Sequence, residues 1–343
     1  MNYLSAINRL SAAPGPSGFE GAVARVALDM LSPLVGEAYL DRMGNVVGLR
    51  PCGKPGAKKV LLDAHLDEIG FIITGQEEGY LRFAPLGGVD PRMLPDRELT
   101  VLTNPPRLGV VACLPPHIQS REDMDKSQPI SELYLDLGLT EEEAKAIPIG
   151  TPAVYRTGCL ALGKDLLSGK ALDDRACFVL LLRALELLRG EELDVDLIVL
   201  GSTQEETHST GAITAAYGLR PDLCVAVDVT HGDSPDASKD KTFPLGKGPV
   251  IGLGPNCTKW ISHLMRRCAK EMDLNVQLEV MSGSSGTNGW PLQVSREGIA
   301  TGVLSLPLRY MHTPIETAHQ GDMEDTARLL AEFIRRVGKE GAL

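Results

Sequence analysis

The chain has 343 residues, of which 43% are hydrophobic and 23% charged, and its formal net charge is −11. This is ordinary globular composition, so it excludes a mainly disordered or fibrous protein, and at roughly 150 residues per domain the length predicts about two domains. Because an acidic chain repels phosphate backbones, we expect no nucleic-acid partner.

The sequence also bears on the compartment. No apolar run approaches the roughly 20 residues that a membrane span needs, and the N-terminus lacks a basic region followed by an apolar core. We therefore expect no membrane partner. The seven cysteines include no Cys-x-x-Cys pair, which is typical of reduced, scattered thiols and favours a cytoplasmic location.

Helical and strand patterns alternate along both ends of the chain. Ser17 and Glu20 have the spacing of a capping box before an apolar-periodic helix at 23–34. The alternation then continues with a strand at 59–64, a helix after Asp174, a strand at 195–200, a short helix near 212–216, a strand at 223–229, an amphipathic helix at 260–272 and a strand at 301–306. This order predicts an α/β fold with a mostly parallel sheet flanked by helices.

The middle of the chain has a different pattern. Short strand-like segments separated by Pro, Gly and Asn-Pro turns occur at 80–84, 99–102, 109–114, 133–137 and 153–156. One helix interrupts them, with a capping box at Thr140 and Glu143. We therefore predict a discontinuous domain of residues 1–70 plus 163–343, which contains the sheet, and an inserted β-rich domain of residues 71–162.

Side chains able to bind metal occur at five places just after a predicted strand or before a predicted helix. In chain order these are His65 with Asp67, Asp173 with Asp174, Glu205 with Glu206, Asp228, and His312. Ligands of open parallel sheets gather outside the carboxyl ends of the strands, so we expect the five places to converge. Two imidazoles with three carboxylates suit a pair of zinc-like ions, with one carboxylate shared between them.

Some of these positions carry more information than others. His65 and Asp67 lie on one face of an extended segment, so Asp67 is predicted to hold that imidazole or a neighbouring group. Asp228 emerges from a strand that is apolar on both faces, where a charge must be paired or bound to a metal. A helix N-cap explains one of the adjacent aspartates 173 and 174 but leaves the other unexplained.

Four ordered motifs also carry a resemblance over essentially the whole chain. They are Ala64-His65-Leu66-Asp67-Glu68-Ile69-Gly70, Gly169-Lys170-Ala171-Leu172-Asp173-Asp174-Arg175, Gln204-Glu205-Glu206 and Arg309-Tyr310-Met311-His312-Thr313-Pro314. Together they resemble the tetrahedral dinuclear-metal aminopeptidases, a family that includes glutamyl and leucyl aminopeptidases and is sometimes labelled endoglucanase or cellulase-like.

The resemblance implies a zinc-exopeptidase-like fold in which residues 1–70 plus 163–343 form the catalytic domain. It also implies a metal-dependent aminopeptidase that acts on peptides with two divalent ions, zinc or cobalt, in each subunit. It implies that His65 and Asp228 bind the first metal, that Glu206 and His312 bind the second, and that Asp173 bridges them. Glu205 would be the general base, and Asp67 would orient His65. It further implies that the inserted domain joins dimers into a homo-oligomeric, hollow dodecamer.

The sequence departs from the family pattern in two places. Asn288 stands where the family usually has Asp, and His208-Ser209-Thr210 replaces a glycine-containing stretch. Neither place is a metal ligand in the pattern, so both bear on substrate preference more than on chemistry.

Two other functions stay open beside the aminopeptidase. One is amide deacylation of a non-peptide substrate on the same scaffold, and the other is a non-catalytic scaffold, which loss of a ligand or of the base would favour. A glycosidase fits poorly, because its carboxylates must flank a bond at roughly 5 to 9.5 Å, whereas Glu205 and Glu206 are neighbours already needed at the metals.

Overall fold

The structure is a computed structural model that describes residues 1–120, 126–235 and 237–340. In chain order the strands are β1 (Glu37–Leu40), β2 (Val46–Arg50), β3 (Lys58–His65), β4 (Gly70–Glu77), β5 (Tyr80–Leu86), β6 (Glu98–Val101), β7 (Arg107–Ala112), β8 (Tyr134–Asp136), β9 (Pro152–Tyr155), β10 (Leu160–Leu162), β11 (Leu166–Gly169), β12 (Val195–Ser202), β13 (Leu223–His231), β14 (Val250–Leu253), β15 (Gln277–Val280), β16 (Ala300–Arg309) and β17 (Glu316–His319).

Of the helices, two precede β1, one follows β17, and the others lie between strands. They are α1 (Tyr3–Ser11), α2 (Gly21–Leu31), α3 (Glu141–Lys145), α4 (Leu172–Leu187), α5 (Glu205–His208), α6 (Thr210–Leu219), α7 (Lys259–Glu271), α8 (Gly289–Gln293) and α9 (Gln320–Glu340). No helix within the described ranges is long and apolar enough to cross a membrane.

A large mixed sheet carries most of these elements. Its strand order is β1-β2-β12-β3-β13-β16-β17-β11-β10, and β14 pairs with β16 and β15. The four central strands β12, β3, β13 and β16 run parallel to one another. This confirms the α/β fold and the helices flanking the sheet.

The prediction of a mostly parallel sheet is right for the centre and wrong for the margins. On one side β1, β2 and β12 are antiparallel, and on the other β16, β17, β11 and β10 are antiparallel. The reason is the length of the connections. A parallel pair needs a crossover of a dozen or more residues, whereas only residues 310–315 join β16 to β17 and residues 163–165 join β10 to β11.

Both faces of the central strands are covered, since successive side chains point to opposite faces. Val60 and Leu62 belong to the core formed with α1, α2, α4, α7 and α9, and Leu61 between them belongs to the core formed with α6 and α8. Burial on both faces explains the continuous apolar runs of these strands.

The segment between β3 and β10 forms a closed barrel in the order β4-β5-β8-β7-β6-β9. The barrel has its own apolar core, in which the Phe71 ring packs edge-to-face on Phe83 and Tyr155 with centroid distances of 5.5 and 5.3 Å. The capping box of Thr140 and Glu143 is confirmed at the start of α3.

The other predicted capping box, at Ser17 and Glu20, is wrong. The helix α2 begins at Gly21, and the Glu20 carboxylate accepts the backbone N–H groups of Gly18 and Gln204 instead. Sequence spacing alone does not reveal this competing contact, because Gln204 lies far away in the chain. The consequence is that Glu20 helps to hold the residue immediately before Glu205.

Candidate active site

The carboxyl ends of the central strands deliver the predicted side chains to one cavity of about 770 Å³. His65 is the last residue of β3, Asp228 lies near the end of β13, and the loop after β12 leads into α5. Asp173 stands at the start of α4, and His312 follows β16. The cavity lining includes His65, Asp173, Glu205, Glu206, Asp228 and His312.

Asp173 lies between the two imidazoles. Its Oδ1 is 3.1 Å from Nε2 of His65, and its Oδ2 is 3.5 Å from Nε2 of His312. Glu206 is on the His312 side, with Oε2 3.3 Å from the same Nε2. One carboxylate oxygen directed at each histidine is the arrangement that a ligand shared by two cations requires.

Two sets of side chains in the described residues have ligand atoms that all lie within 4.8 Å of one another. One set is His65, Asp173 and Glu206, and the other is His65, Asp174 and Asp228. Asp174 is the aspartate that the sequence left unexplained. Its Oδ2 accepts the backbone N–H of His65, and its buried Oδ1 has no hydrogen-bond partner in the described protein.

Asp67 is fully buried and connects the end of β3 to the start of α5. Its carboxylate accepts the backbone N–H groups of Glu205 and Glu206 at 3.0 and 3.1 Å. The same carboxylate lies 3.4 Å from Nδ1 of His65. Asp67 therefore contacts the imidazole from the side away from Asp173 and also fixes the backbone of both glutamates.

Glu316 is a site residue to which the sequence reasoning gave no role. Its buried carboxylate accepts the N–H of Asp173 at 3.1 Å and the N–H of His312 at 3.0 Å. The available signal was its position four residues after His312. Gly88, in the loop after β5, completes this side of the cavity, because its carbonyl is 2.9 Å from Nδ1 of His312.

Burial shapes the electrostatics of the cavity. Burial, with the nearby Asp173 carboxylate adding to it, raises the pKa of Glu205 to about 7. Burial likewise raises the pKa of Glu206 and of Asp228 well above the ordinary value. For His65, burial alone lowers the pKa, but hydrogen bonds to Asp173 and Asp67 outweigh it and the pKa is raised.

These carboxylates lack a cation of their own. Among the ion pairs of the described residues, none joins a Lys or Arg to Asp173, Glu206 or Asp228. Buried carboxylates without such a partner are costly unless a metal neutralises them. The unpartnered Asp174 oxygen and the mixed imidazole–carboxylate donor set therefore fit divalent cations of the zinc type.

The two departures from the family pattern have structural counterparts. The Asn288 amide donates to Oδ2 of buried Asp63 at 2.7 Å and to Oγ of Ser202 at 3.0 Å. An Asp at this position would place a second carboxylate against Asp63, whereas the Asn288 amide donates a hydrogen bond to it. Ser209 joins α5 to α6 at a φ of 54°, in the left-handed region that favours glycine.

Comparison with known proteins shows the family of the chain. The family model for the M42 glutamyl aminopeptidases matches residues 44–329. The chain belongs to this family. The M42 family is one of metallopeptidases, so membership makes the chain a hydrolase of the aminopeptidase class and implies divalent metals.

Individual relatives resemble this M42 chain over nearly its whole length. The lysyl aminopeptidase of Pyrococcus furiosus is 34% identical, with 96% of each chain covered. Among solved structures, an aminopeptidase from Desulfurococcus kamchatkensis is 33% identical with a TM-score of 0.90, covering 97% of this chain and 94% of that one. The Pyrococcus horikoshii TET1 peptidase, described as assembling into a tetrahedron or a large octahedral shell, is 27% identical with a TM-score of 0.86, covering 98% and 100%.

Proposed function

We propose that this M42 chain removes N-terminal residues from peptides by hydrolysis that depends on two divalent metal ions, zinc or cobalt. His65 and Asp228 would hold one ion, Glu206 and His312 the other, and Asp173 both. The observation that carries this proposal is the position of Asp173, with one carboxylate oxygen toward each imidazole. Bound there, the ions would supply Lewis-acid activation of a water, lowering its pKa from about 16 towards 7, and of the scissile carbonyl.

In the proposed mechanism Glu205 moves the proton. Its carboxylate lines the cavity with Oε2 4.0 Å from Nε2 of His65, so it is beside the ligand cluster. Glu205 takes a proton from the attacking water and delivers it to the leaving amine. Asp67 supports this role by holding the backbone N–H of Glu205 and the imidazole of His65 at once.

Metal content tests the ligand assignment. We expect His312→Ala and Asp228→Ala each to lose bound metal relative to the wild type, because each removes a proposed ligand. Elemental analysis after dialysis against zinc measures the metal per chain, and circular dichroism checks the fold. Full occupancy in either variant would contradict the assignment of that residue.

Substrate panels test the reaction type. We expect metal-loaded protein to hydrolyse amino-acyl anilides and to leave acetylated amino sugars unchanged, with rates that differ between zinc and cobalt. The reverse preference would favour amide deacylation on the same scaffold.

We further propose that the inserted barrel, within residues 71–162, mediates a homo-oligomer of dimers that form a dodecamer, and that residues 1–70 plus 163–343 form the catalytic domain. The TET1 peptidase supports the assembly, and the barrel exposes Leu108, Val110, Leu114, Ile118 and Ile149. Light scattering coupled to size exclusion measures the particle mass.

All seven cysteines are free thiols, which supports a reducing, cytoplasmic location.

A further inference from the structure

One wall of the cavity comes from β15 and the residue that follows it. Glu279 and Met281 lie two positions apart, so both side chains leave the same face of this segment, and both line the cavity. The wall thus offers a thioether and a carboxylate side by side. This combination matches a side chain that is apolar along its stem and charged at its tip.

The Glu279 carboxylate is within reach of the metal-binding residues. The hydroxyl of Thr230, on β13, is close enough to lower the pKa of this carboxyl, and both residues line the cavity. Thr230 follows the proposed ligand Asp228 by two residues, a distance of about 6.6 Å along an extended strand. A substrate held at the metals by its first residue can therefore extend a long side chain to Glu279.

Glu279 has no Lys or Arg partner among the described residues. Among the ion pairs of the described residues, none includes Glu279, and burial raises the pKa of its carboxyl. The basic group that acts on this carboxyl is His231, which lowers its pKa and also lines the cavity. A half-buried carboxylate without a cation is unfavourable, and a cationic substrate group would remove this cost.

The basic side chains that line the cavity also bear on the substrate class. None of the described residues that line it is a Lys or Arg, and besides the two proposed histidine ligands only His208 and His231 are basic. A glutamate as first residue would bring its carboxylate beside Glu279 with no guanidinium or ammonium to receive it. A lysine or arginine would place its stem along Met281 and its cation at Glu279.

From this we infer that Glu279 is the specificity-determining residue and that the cavity takes peptides with a basic first residue, lysine or arginine. The inference rests on the proposed aminopeptidase function and narrows its substrate class. It also separates this chain from the glutamyl preference in the description of the family.

Kinetics with metal-loaded protein test the inference. The substrates are lysyl, arginyl, leucyl and glutamyl anilides, and the variants are Glu279→Gln and, as a matched control, Glu192→Gln. Glu192 is an exposed residue before β12 that does not line the cavity, so its replacement removes the same charge elsewhere. We expect Glu279→Gln to lower kcat/KM about tenfold for lysyl and arginyl substrates and to change the leucyl value less than twofold.

A charge reversal sharpens this test. Glu279→Lys is expected to raise kcat/KM for the glutamyl substrate above the wild-type value while lowering it for the lysyl substrate. Equal losses for all four substrates, or an unchanged ratio of lysyl to leucyl kcat/KM in Glu279→Gln, would overturn the inference and leave the proposed function standing.

Binding of products gives a readout that needs no turnover. By calorimetry, the wild type is expected to bind L-lysine about tenfold more tightly than L-norleucine, which has a similar stem but no side-chain ammonium group, and Glu279→Gln is expected to lose this difference. If the wild type cleaves none of the anilides, the proposed function fails, and the lysine-to-norleucine ratio still decides the inference. Equal ratios in the wild type and the variant would refute it.

Discussion

The adjacent carboxylates Glu205 and Glu206 begin the same helix but have different surroundings. The Asp67 carboxylate accepts both backbone N–H groups, so one residue fixes the backbone of both glutamates. Glu206 lies against His312 at 3.3 Å, whereas the nearest imidazole to Glu205 is His65 at 4.0 Å. This difference supports the proposed ligand role of Glu206 and the proposed proton transfer by Glu205.

This difference predicts separable effects. Glu205→Gln keeps the size of the side chain and removes its basicity, so we expect two metals per chain and a kcat lowered by about 10²- to 10⁴-fold. Elemental analysis and turnover of an amino-acyl anilide measure both quantities. Near wild-type turnover with full metal would refute the role of general base.

Glu316 is predicted to position two ligands rather than to bind metal. Glu316→Gln loses one of the acceptor oxygens that hold the N–H groups of Asp173 and His312, so we expect metal affinity to fall about 10- to 100-fold. Competition with a chromogenic chelator measures the affinity, and Glu192→Gln serves as the control of equal charge. An unchanged affinity would show that the rest of the site orients both residues without Glu316.

The sequence predicted the candidate ligands and base of this cavity better than the residues that position them. Side chains able to bind metal were recognisable because they follow predicted strands or precede predicted helices. The structure brings these residues together, while their roles stay predictions: His65, Asp173, Glu205, Glu206, Asp228 and His312. Glu316 and Asp174 were not assigned because their contacts are to backbone N–H groups. The bond from Asp173 to Glu316 joins residues 143 positions apart, and no local pattern records such a contact.

At the scale of elements, a strand was predictable from the sequence when both of its faces are buried. The strands β3, β12, β13 and β16 are buried on both faces and read as apolar runs, so their existence was predictable. The margins β1, β10 and β17 have three or four residues each. Segments this short show neither a period nor a direction, so the antiparallel pairing became visible only with the structure.

A buried ionic cluster joins several of these elements. Glu68, between β3 and β4, pairs with Lys170 at 2.5 Å and with Arg175 at 3.0 Å, and it accepts the N–H of Gly15. Arg175 also donates to the carbonyl of Leu66. The cluster therefore ties the N-terminal segment, the end of β3 and the start of α4 to one another.

We expect Glu68→Gln to lower the free energy of unfolding by about 3–5 kcal/mol at neutral pH, because it leaves two buried cations without their anion. Burial alone raises the pKa of Glu68, but Lys170 and Arg175 outweigh it and the pKa is lowered. The stability from this carboxylate is thus present above its unfolded pKa and is lost as the pH falls through its folded pKa. The difference between variant and wild type should shrink over that acid range.

Urea unfolding of metal-free protein measures this difference, with Glu192→Gln as the control for the loss of one charge. A penalty at neutral pH no larger than that of the control would contradict the structural importance of the cluster.

At the scale of the whole molecule, the barrel segment contributes both to the cavity and to an exposed apolar surface. The Gly88 carbonyl contacts the imidazole of His312, so a loop of the barrel segment forms part of the cavity. The barrel also presents apolar side chains outward. Leu108 and Val110 are two apart on β7 and are 47% and 42% exposed, an arrangement that suits a contact between subunits.

We therefore expect the double variant Leu108→Glu with Val110→Glu to form smaller particles than the wild type, since charges at this face oppose burial. Light scattering coupled to size exclusion measures the mass, and circular dichroism verifies the fold. Leu40→Glu, at an exposed position of β1 outside the barrel, is the matched control. A wild-type mass for the double variant would place the interface elsewhere.

The order of the proposed ligands along the chain has a consequence for stability. They run from residue 65 to residue 312, and the whole barrel lies between the first and the second of them. A pair of ions at Asp173 would thus clasp together parts of the polypeptide that are remote in sequence. Because such ions would bind the native state more tightly than the unfolded one, they would raise the free energy of unfolding, and withdrawing them would destabilise both ends of the molecule together.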